Sequence, residues 1–489
     1  MGLIKKMNPF DLNDEFYTVL ETAAKRLKIR IDAGELIRVS SHIDADGLSA
    51  AGIVCSALQR LKARFHLRIL RQLDPEFIEA LAEEKHNCYI FSDFGSGQID
   101  LLAKFFPKED LIVLDHHEPL NKSENPSNII EINPHLHGYN GSNEISGAGV
   151  SFLFAYALDP QHNIDLLQLA LVGAVGDIQD QEKQHSLKGL NDKFAQLGVK
   201  ENLVKIEKDL YFQYREMKPI HHALMETNDP YLPGLTGNEE ACVRFLGSIG
   251  VPLQAGDNWR TISDLSTEEK RNLTTQLTQL ILSHGGTSEE ANNLVCTKYL
   301  FLNETEIYLK DAREYAELLN ACGRTRNSGA GVAVCMGDRT IHYRQAQDLL
   351  LTYQKKIDTF LENLKHPGTI LETDHVQYFM GGALDETMIG TITTIATKTK
   401  LTKPNKALIG FAGPMDDVYK ISARAQDKLV EKGVHLGKAL RETISQLGLD
   451  NSKFRAGGHD AAAGTRVPKT HDKLFIETLN KVIEKQISN

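Results

Sequence analysis

The stretch Leu36-Ile37-Arg38-Val39-Ser40-Ser41-His42-Ile43-Asp44-Ala45-Asp46-Gly47 passes from an apolar run straight into a histidine and two aspartates. The chain repeats the device twice. Cys88-Tyr89-Ile90-Phe91 leads into Ser92-Asp93-Phe94-Gly95, and Leu111-Ile112-Val113-Leu114 leads into Asp115-His116-His117-Glu118-Pro119. Each run reads as a buried strand, and in an open parallel sheet the carboxyl ends of neighbouring strands share the edge where ligands bind. Carboxylates and imidazoles gathered there make a pocket of oxygen and nitrogen donors. Such a pocket suits Mn²⁺, Mg²⁺ or Zn²⁺ rather than a thiolate-bound metal. The expected product is a two-metal site.

Outward from these loops, helices alternate with strands. Phe16, Leu20, Ala23, Ala24 and Leu27 fall at helical spacing, as do Ala50, Ile53, Val54, Ala57, Leu58 and Leu61 after the first acidic loop. A strand is expected at Leu67 to Leu70 and a polar loop at Asn121 to Asn128. Ser146-Gly147-Ala148-Gly149 opens an apolar helix, and a second, Leu166 to Val175, delivers Gly176-Asp177-Ile178-Gln179-Asp180. This alternation predicts a doubly wound α/β domain over residues 1–200. Residues 201–325 turn mainly helical and polar, and Ser266-Thr267-Glu268-Glu269 has the form of a capped helix start. They read as an intervening module. Short β-like runs at Val332 to Met336, Ala407 to Phe411 and Val418 to Ser422, then a helix from Asp472 to Ile487, predict a second, smaller α/β domain over 326–489.

A chain of 489 residues needs more than one core. Six scattered cysteines, none in a Cys-x-x-Cys pair, argue against a zinc ribbon or a disulfide framework. The N-terminus lacks the order of a signal peptide, and no apolar run approaches the ~20 residues of a membrane span. A cytoplasmic protein with no membrane partner is expected. A net charge of −10 does not advertise a nucleic-acid binder, but acidity held in a metal pocket is offset by bound cations. Basic clusters at Arg60 to Arg71 and at Lys398 to Arg424, including Lys400, Lys403, Lys406 and Lys420, support a polyanionic substrate. Solvated element faces are the commoner reason for such clusters.

Two divalent cations held close together need a bridging carboxylate and further anionic or imidazole ligands. His42, Asp44 and Asp46 alternate on one loop and can serve two neighbouring ions. Asp93, at the middle strand end, is the best bridge, and His116 and Asp177 can complete the second ion. Asp115 and His117 then stand behind the ligands or face the substrate. A single Asp after a strand is more often an N-cap or a turn former than a ligand. The joint pattern of His-x-Asp-x-Asp-Gly, a second strand-end Asp and Asp-His-His decides for the metal.

Asp115-His116-His117, with the upstream His-x-Asp-x-Asp-Gly and the downstream Gly-x-x-Gly-Asp, resembles the DHH phosphoesterase superfamily. Gly457-Gly458-His459-Asp460-Ala461-Ala462-Ala463-Gly464 resembles the signature of its associated DHHA1 domain. Ser41 to Gly47 and Leu318-Leu319-Asn320-Ala321-Cys322-Gly323-Arg324 look most like the archaeal RecJ-type exonucleases, the GINS-associated nucleases. The resemblance implies two Mn²⁺ or Mg²⁺ ions on His42, Asp44, Asp46, Asp93, His116 and Asp177, a set complete in this chain. It also implies hydrolysis of single-stranded nucleic acid from an end, and docking of the middle module to the GINS complex and through it to the replicative helicase. Glycines let a backbone approach a phosphate closely. With Lys420-Ile421-Ser422-Ala423-Arg424, which resembles the Ser-x-Arg strand of DHHA1, they make Ser422, Arg424, Gly457, Gly458 and His459 the expected substrate contacts. His117 joins them, and Arg324 and Arg455 are further candidates. Two other readings stay open: a phosphodiesterase for short oligonucleotides or cyclic dinucleotides, and a non-catalytic replisome scaffold resembling the helicase subunit.

Overall fold

The three acidic runs do end neighbouring strands. In the computed structural model, which describes residues 8–119, 125–212, 218–227, 230–382, 384–398, 401–450 and 453–488, β1 (Leu36–His42), β2 (Arg64–Leu70), β3 (Cys88–Ser92), β4 (Asp110–Leu114) and β5 (Ile129–Ile132) form one sheet. The order is β2-β1-β3-β4-β5 and every pairing is parallel. In this order the chain winds one way from β1 to β2 and the other way from β3 onward. The switch falls between β1 and β3, where such sheets open a crevice beyond the strand ends. Ser41 pairs with Ser92 and Ser92 with Leu114, so His42, Asp93 and Asp115 emerge side by side on that edge.

β3 and β4 are apolar along their length because both faces are covered. Tyr89 and Phe91 point, at period two, into a core with Ile78 and Leu81 from α3 (Pro75–Glu83), Leu102 from α4 (Ile99–Phe105) and Phe106 just after it. The other face is closed by α1 (Asp14–Asp32), α2 (Ala45–Arg60) and α5 (Gly147–Leu158), with α6 (Leu167–Gly176) packed on α2 and α5. α2 is buried from Ala45 to Leu58, which its run of Ala, Gly and Ser allows by letting α5 and α6 pack on it.

After α7 (Gly189–Lys200), β6 (Val204–Leu210) pairs antiparallel with β9 (Val295–Phe301). The elements between them are α8 (Ile220–Glu226), α9 (Glu239–Ser248), the hairpin β7 (Gln254–Ala255) and β8 (Asn258–Trp259), α10 (Thr267–Ser283) and α11 (Ser288–Asn292). The capping box expected at Ser266 is formed with Glu269. α12 (Ile307–Lys310), α13 (Ala312–Arg324), α14 (Ser328–Cys335) and α15 (Ile341–Leu364) follow. The strand expected at Val332 to Met336 is instead the end of α14. The run is too short for periodicity to separate the two, and Ala330, Gly331, Val332, Val334 and Cys335 are buried, so the helix lacks a polar face.

The chain divides into two compact units, Met1–Glu226 with Gly237–Leu351 and Thr227–Thr236 with Thr352–Asn489. The second is built on a mixed sheet of order β10-β11-β12-β13-β15-β14, comprising Leu371–Glu372, Val376–Met380, Ala407–Met415, Val418–Arg424, Ala462–Pro468 and Gly457–Gly458 for β10, β11, β12, β13, β15 and β14. Only β11 and β12 pair in parallel. α16 (Ile389–Lys398) packs on β12 and β13, and α17 (Asp427–Val430), α18 (Leu436–Gln446) and α19 (Asp472–Ser488) bury Leu429, Leu440 and Leu479 in the core. All six cysteines are free and buried. No helix among the described residues is long and apolar enough to cross a membrane. Lys400 and residues 121–124 of the expected polar loop lie outside the described residues.

Candidate metal centre

Two groups of donors meet at the switch point. His42 ends β1, and its Nδ1 lies 2.9 Å from Oδ2 of Asp44 and 3.5 Å from Oδ2 of Asp93. Asp44 is also the N-cap of α2, accepting from the Gly47 amide. In the second group, His116 Nε2 lies 3.6 Å from Asp46, 3.3 Å from Oδ1 of Asp93 and 3.8 Å from Asp177. Asp93 thus gives one oxygen to each group. It leaves β3 in the left-handed region, φ 62°, which Asp tolerates better than most residues. Its Oδ1 is buried and has no hydrogen-bond partner. A Cβ on Gly147 would stand 2.5 Å from that oxygen, so the helix start must be glycine for Asp93 to fit.

The electrostatics match a pocket built around cations. Burial disfavours charge on His42 and His116, yet the carboxylates around them outweigh it and hold both imidazoles well above their ordinary value. Burial and the neighbouring Asp93 raise the Asp46 carboxyl, whose oxygens accept from the Gly147 and Ala148 amides at 2.7 and 2.9 Å. Burial, with Asp93 and Asp44, pushes Asp177 up to about 6 against the pull of His116. Crowded carboxylates that capture protons are short of positive charge. The orphaned Asp93 oxygen and the oxygen-rich donor set fit hard divalent ions.

Asp115 faces away from both groups. Its Oδ1 accepts from the His116 amide and from Nδ1 of His117, each at 2.8 Å, and its Oδ2 accepts from the Ser96 amide. Burial opposes its ionisation, but these bonds, His117 first, hold it far below the ordinary carboxylate range. It positions the double histidine, and His117, although its side chain is 59% exposed, keeps a ring nitrogen within 4.8 Å of donor atoms of Asp93 and His116.

Gln179, which sequence reasoning passed over, ties the second group together. Its Nε2 donates to Asp177 Oδ2 at 2.9 Å and to the Gly141 carbonyl at 2.8 Å. Nδ1 of His116 also bonds that carbonyl, at 2.7 Å. Asn191 donates to Gln179 Oε1. Between Asp177 and Gln179, Ile178 stands 66% exposed at φ 57°, a strained conformation for a β-branched residue. The only sequence signal was the polar pair after the Asp. α13 braces the first group: Asn320 accepts from the Ala45 amide at 3.1 Å, and Gly323 lies so close to Ile43 that a Cβ would overlap its carbonyl oxygen. Arg324, at the end of α13, helps hold Asp44 ionised.

The remaining candidates lie in the second unit. Arg424 donates to Thr394 at 2.9 Å and to Ser422 at 3.2 Å. Across the sheet Arg424 pairs with Ala462, whose carbonyl also accepts the His459 amide at 2.8 Å. Arg424 and His459 therefore flank one residue of β15. Gly457, Gly458, His459 and Arg455 are exposed. Parts of the basic clusters are structural surface: Arg60 pairs with Asp165, and Lys403 and Lys406 with Glu372.

Family models agree with this layout. The DHH family N-terminal domain matches residues 36–174, the DHH-CID domain 212–295 and the DHHA1 domain 377–489. An uncharacterized protein of Methanocaldococcus jannaschii is 31% identical over 473 residues, covering 96% of this chain and 98% of the relative. The chain belongs to the DHH family, with a DHHA1 domain. This DHH protein is also 27% identical to the single-stranded-DNA-specific exonuclease RecJ of Bacillus subtilis, over 41% of the chain and 26% of the relative. Its fold is similar to RecJ of Thermus thermophilus in complex with Mn²⁺, with TM-score 0.58 and 18% identity over 96% of this chain and 55% of that one. The CDC45 structure from Entamoeba histolytica matches with TM-score 0.66 and 13% identity over 96% and 99%. The chain spans about half the length of the Thermus RecJ and a quarter of the Bacillus relative.

Proposed function

We propose that this protein is a two-metal, RecJ-like exonuclease that degrades single-stranded DNA, and RNA where it meets it, from an end. Bound Mn²⁺ or Mg²⁺ supplies polarisation of the scissile phosphate and an activated water near neutral pH. His42, Asp44 and Asp93 hold one ion; Asp46, Asp93, His116 and Asp177 hold the other. The Gly141 carbonyl fixes the His116 ring with Nε2 inward. Asp115 outweighs burial in raising His117, whose Nε2 carries a proton toward an incoming phosphate. In the DHHA1 domain, Ser422, Arg424, Gly457, Gly458 and His459 hold the strand's phosphates, with Arg455 there and Arg324, at the end of α13 in the first unit, as further contacts.

The observation that carries this reading is the Asp93 carboxylate, set between two donor groups with one buried oxygen unclaimed. The sequence relationship to a single-stranded-DNA-specific exonuclease supports the substrate class. We place the enzyme in the cytoplasm, acting in replication and repair, with the middle module docking GINS and through it the replicative helicase. The CDC45-like fold favours a docking role beside catalysis. A scaffold alone has no use for a full set of six donors. Incubation with Mn²⁺ and, in turn, a long single strand, a duplex, dinucleotides and cyclic dinucleotides tests the proposal. The long single strand should be shortened fastest. Preference for the small substrates would move the protein to the oligonucleotide phosphodiesterases, and no turnover of any would leave the scaffold.

A further inference from the structure

A second set of donors lies in the middle module, on elements that contribute nothing to the first. His221 and His222 occupy the first turn of α8, and Glu239 opens α9, which packs against it. Glu239 Oε1 lies 3.2 Å from Nε2 of His222 and 3.6 Å from Nε2 of His221. Successive residues on a helix point in different directions, so only a group placed between them is reached by both rings. Glu239 is that group.

His221 is the informative member. Its residue is 4% exposed, its Nδ1 has no hydrogen-bond partner, and its Nε2 is too far from Glu239 for a hydrogen bond. Buried imidazoles ordinarily satisfy at least one nitrogen. Around a tetrahedral ion with bonds of about 2.0–2.1 Å, neighbouring donor atoms stand about 3.3–3.5 Å apart. The separations of 3.2 and 3.6 Å bracket that spacing, and all three donor atoms lie within 4.8 Å of one another.

We infer that His221, His222 and Glu239 form a second, separate site for a borderline divalent transition metal, Zn²⁺ before Mn²⁺ or Mg²⁺. Two imidazoles and one carboxylate select such an ion, whereas the carboxylate-rich centre suits harder ones. The partly exposed His222 and Glu239 leave the fourth position to water. The ion clamps α8 to α9 and satisfies the buried His221. Its role is to stiffen the module rather than to act on substrate.

The chain carries its own reporter. Trp259, the single tryptophan, has its ring 5.0 Å from that of His221 and is half exposed. The full-length protein, kept in saturating Mn²⁺, is titrated with Co²⁺ while tryptophan emission is followed, and Zn²⁺ is then added. A paramagnetic ion on His221 should quench Trp259 saturably, and Zn²⁺ should restore the emission. Outer hydrogen-bond partners of metal ligands cost about 10–100-fold when lost, so His222→Gln or Glu239→Gln should weaken Co²⁺ by about a hundredfold or more. Both residues are partly exposed, so the variants fold. Asp93→Asn should leave the quenching unchanged. Absence of saturable quenching, or quenching of equal strength in the His222 and Glu239 variants, overturns the site.

Discussion

Oδ1 of Asp93, buried and without a hydrogen-bond partner, lies 3.3 Å from Nε2 of His116. The other oxygen of the same carboxylate looks toward His42. The side chain therefore belongs to both donor groups, and the strand-end conformation of Asp93 is the point on which the centre turns.

Gln179 should matter to the ion expected at the second donor group, because it holds both Asp177 and the carbonyl that orients His116. Gln179→Leu keeps the volume but removes the bonds to Asp177 and to the carbonyl that orients His116. Affinity for one of two Mn²⁺ ions should fall about 10–100-fold, with the other unchanged. Titration followed by electron paramagnetic resonance reads both. Two undisturbed affinities would remove Gln179 from the centre.

Acid should empty the centre. Asp177 titrates at about 6, Asp46 is raised, and His42 and His116 are held above their ordinary values, so donors carry protons that must leave before a cation binds. These same groups bind protons in the folded chain that the unfolded chain has lost. Metal-free stability should therefore fall as pH rises from about 4 through about 6 and on through the raised histidine values. The gain in Tm on adding Mn²⁺ should grow between about pH 5 and 7.5 by calorimetry. A gain independent of pH would contradict the assignment.

Much of this centre was legible because its parts are titratable and sit at the ends of apolar runs. His42, Asp93 and Asp115 emerge together for the reason the parallel reading gave, a shared strand edge. Gln179 and Asn320 were not legible, since amides carry no charge signature and their partners are set by the packing of α6 and α13. Val332 to Met336 misled because an apolar run buried on all sides has no period to read. The β6–β9 ladder was missed because Lys205, Glu207 and Lys208 make β6 look like polar helix.

Arg424→Ala and His459→Ala should act on substrate and spare the metals, since the candidate donors all lie in the first unit and both residues in the second. A charge-assisted bond to phosphate is worth roughly 1.5–3 kcal/mol, so single-strand binding should weaken about ten- to a hundredfold. The salt dependence for Arg424→Ala should flatten by about one contact. Loss of Mn²⁺ in either variant would contradict the division of labour.

Excision of the middle module tests docking. Tyr211 donates its amide to the Leu294 carbonyl at 2.8 Å, so the module's two ends leave the β6–β9 ladder side by side. Replacing the part of the module between β6 and β9, residues 213–292, by a short Gly-Ser linker should abolish co-purification with GINS and preserve Mn²⁺ binding. Undiminished GINS binding would place that interface elsewhere.

Digestion of a long single strand labelled at its 5′ or its 3′ end, in Mn²⁺, by the parent protein and by Asp93→Asn bears most directly on the two-metal exonuclease. The parent should release short products from one end only. Asp93→Asn should be slower by about a thousandfold, the several kcal/mol that metal stabilisation of the transition state supplies. Internal cutting without end bias, or an Asp93→Asn protein that keeps substantial turnover, would contradict the account.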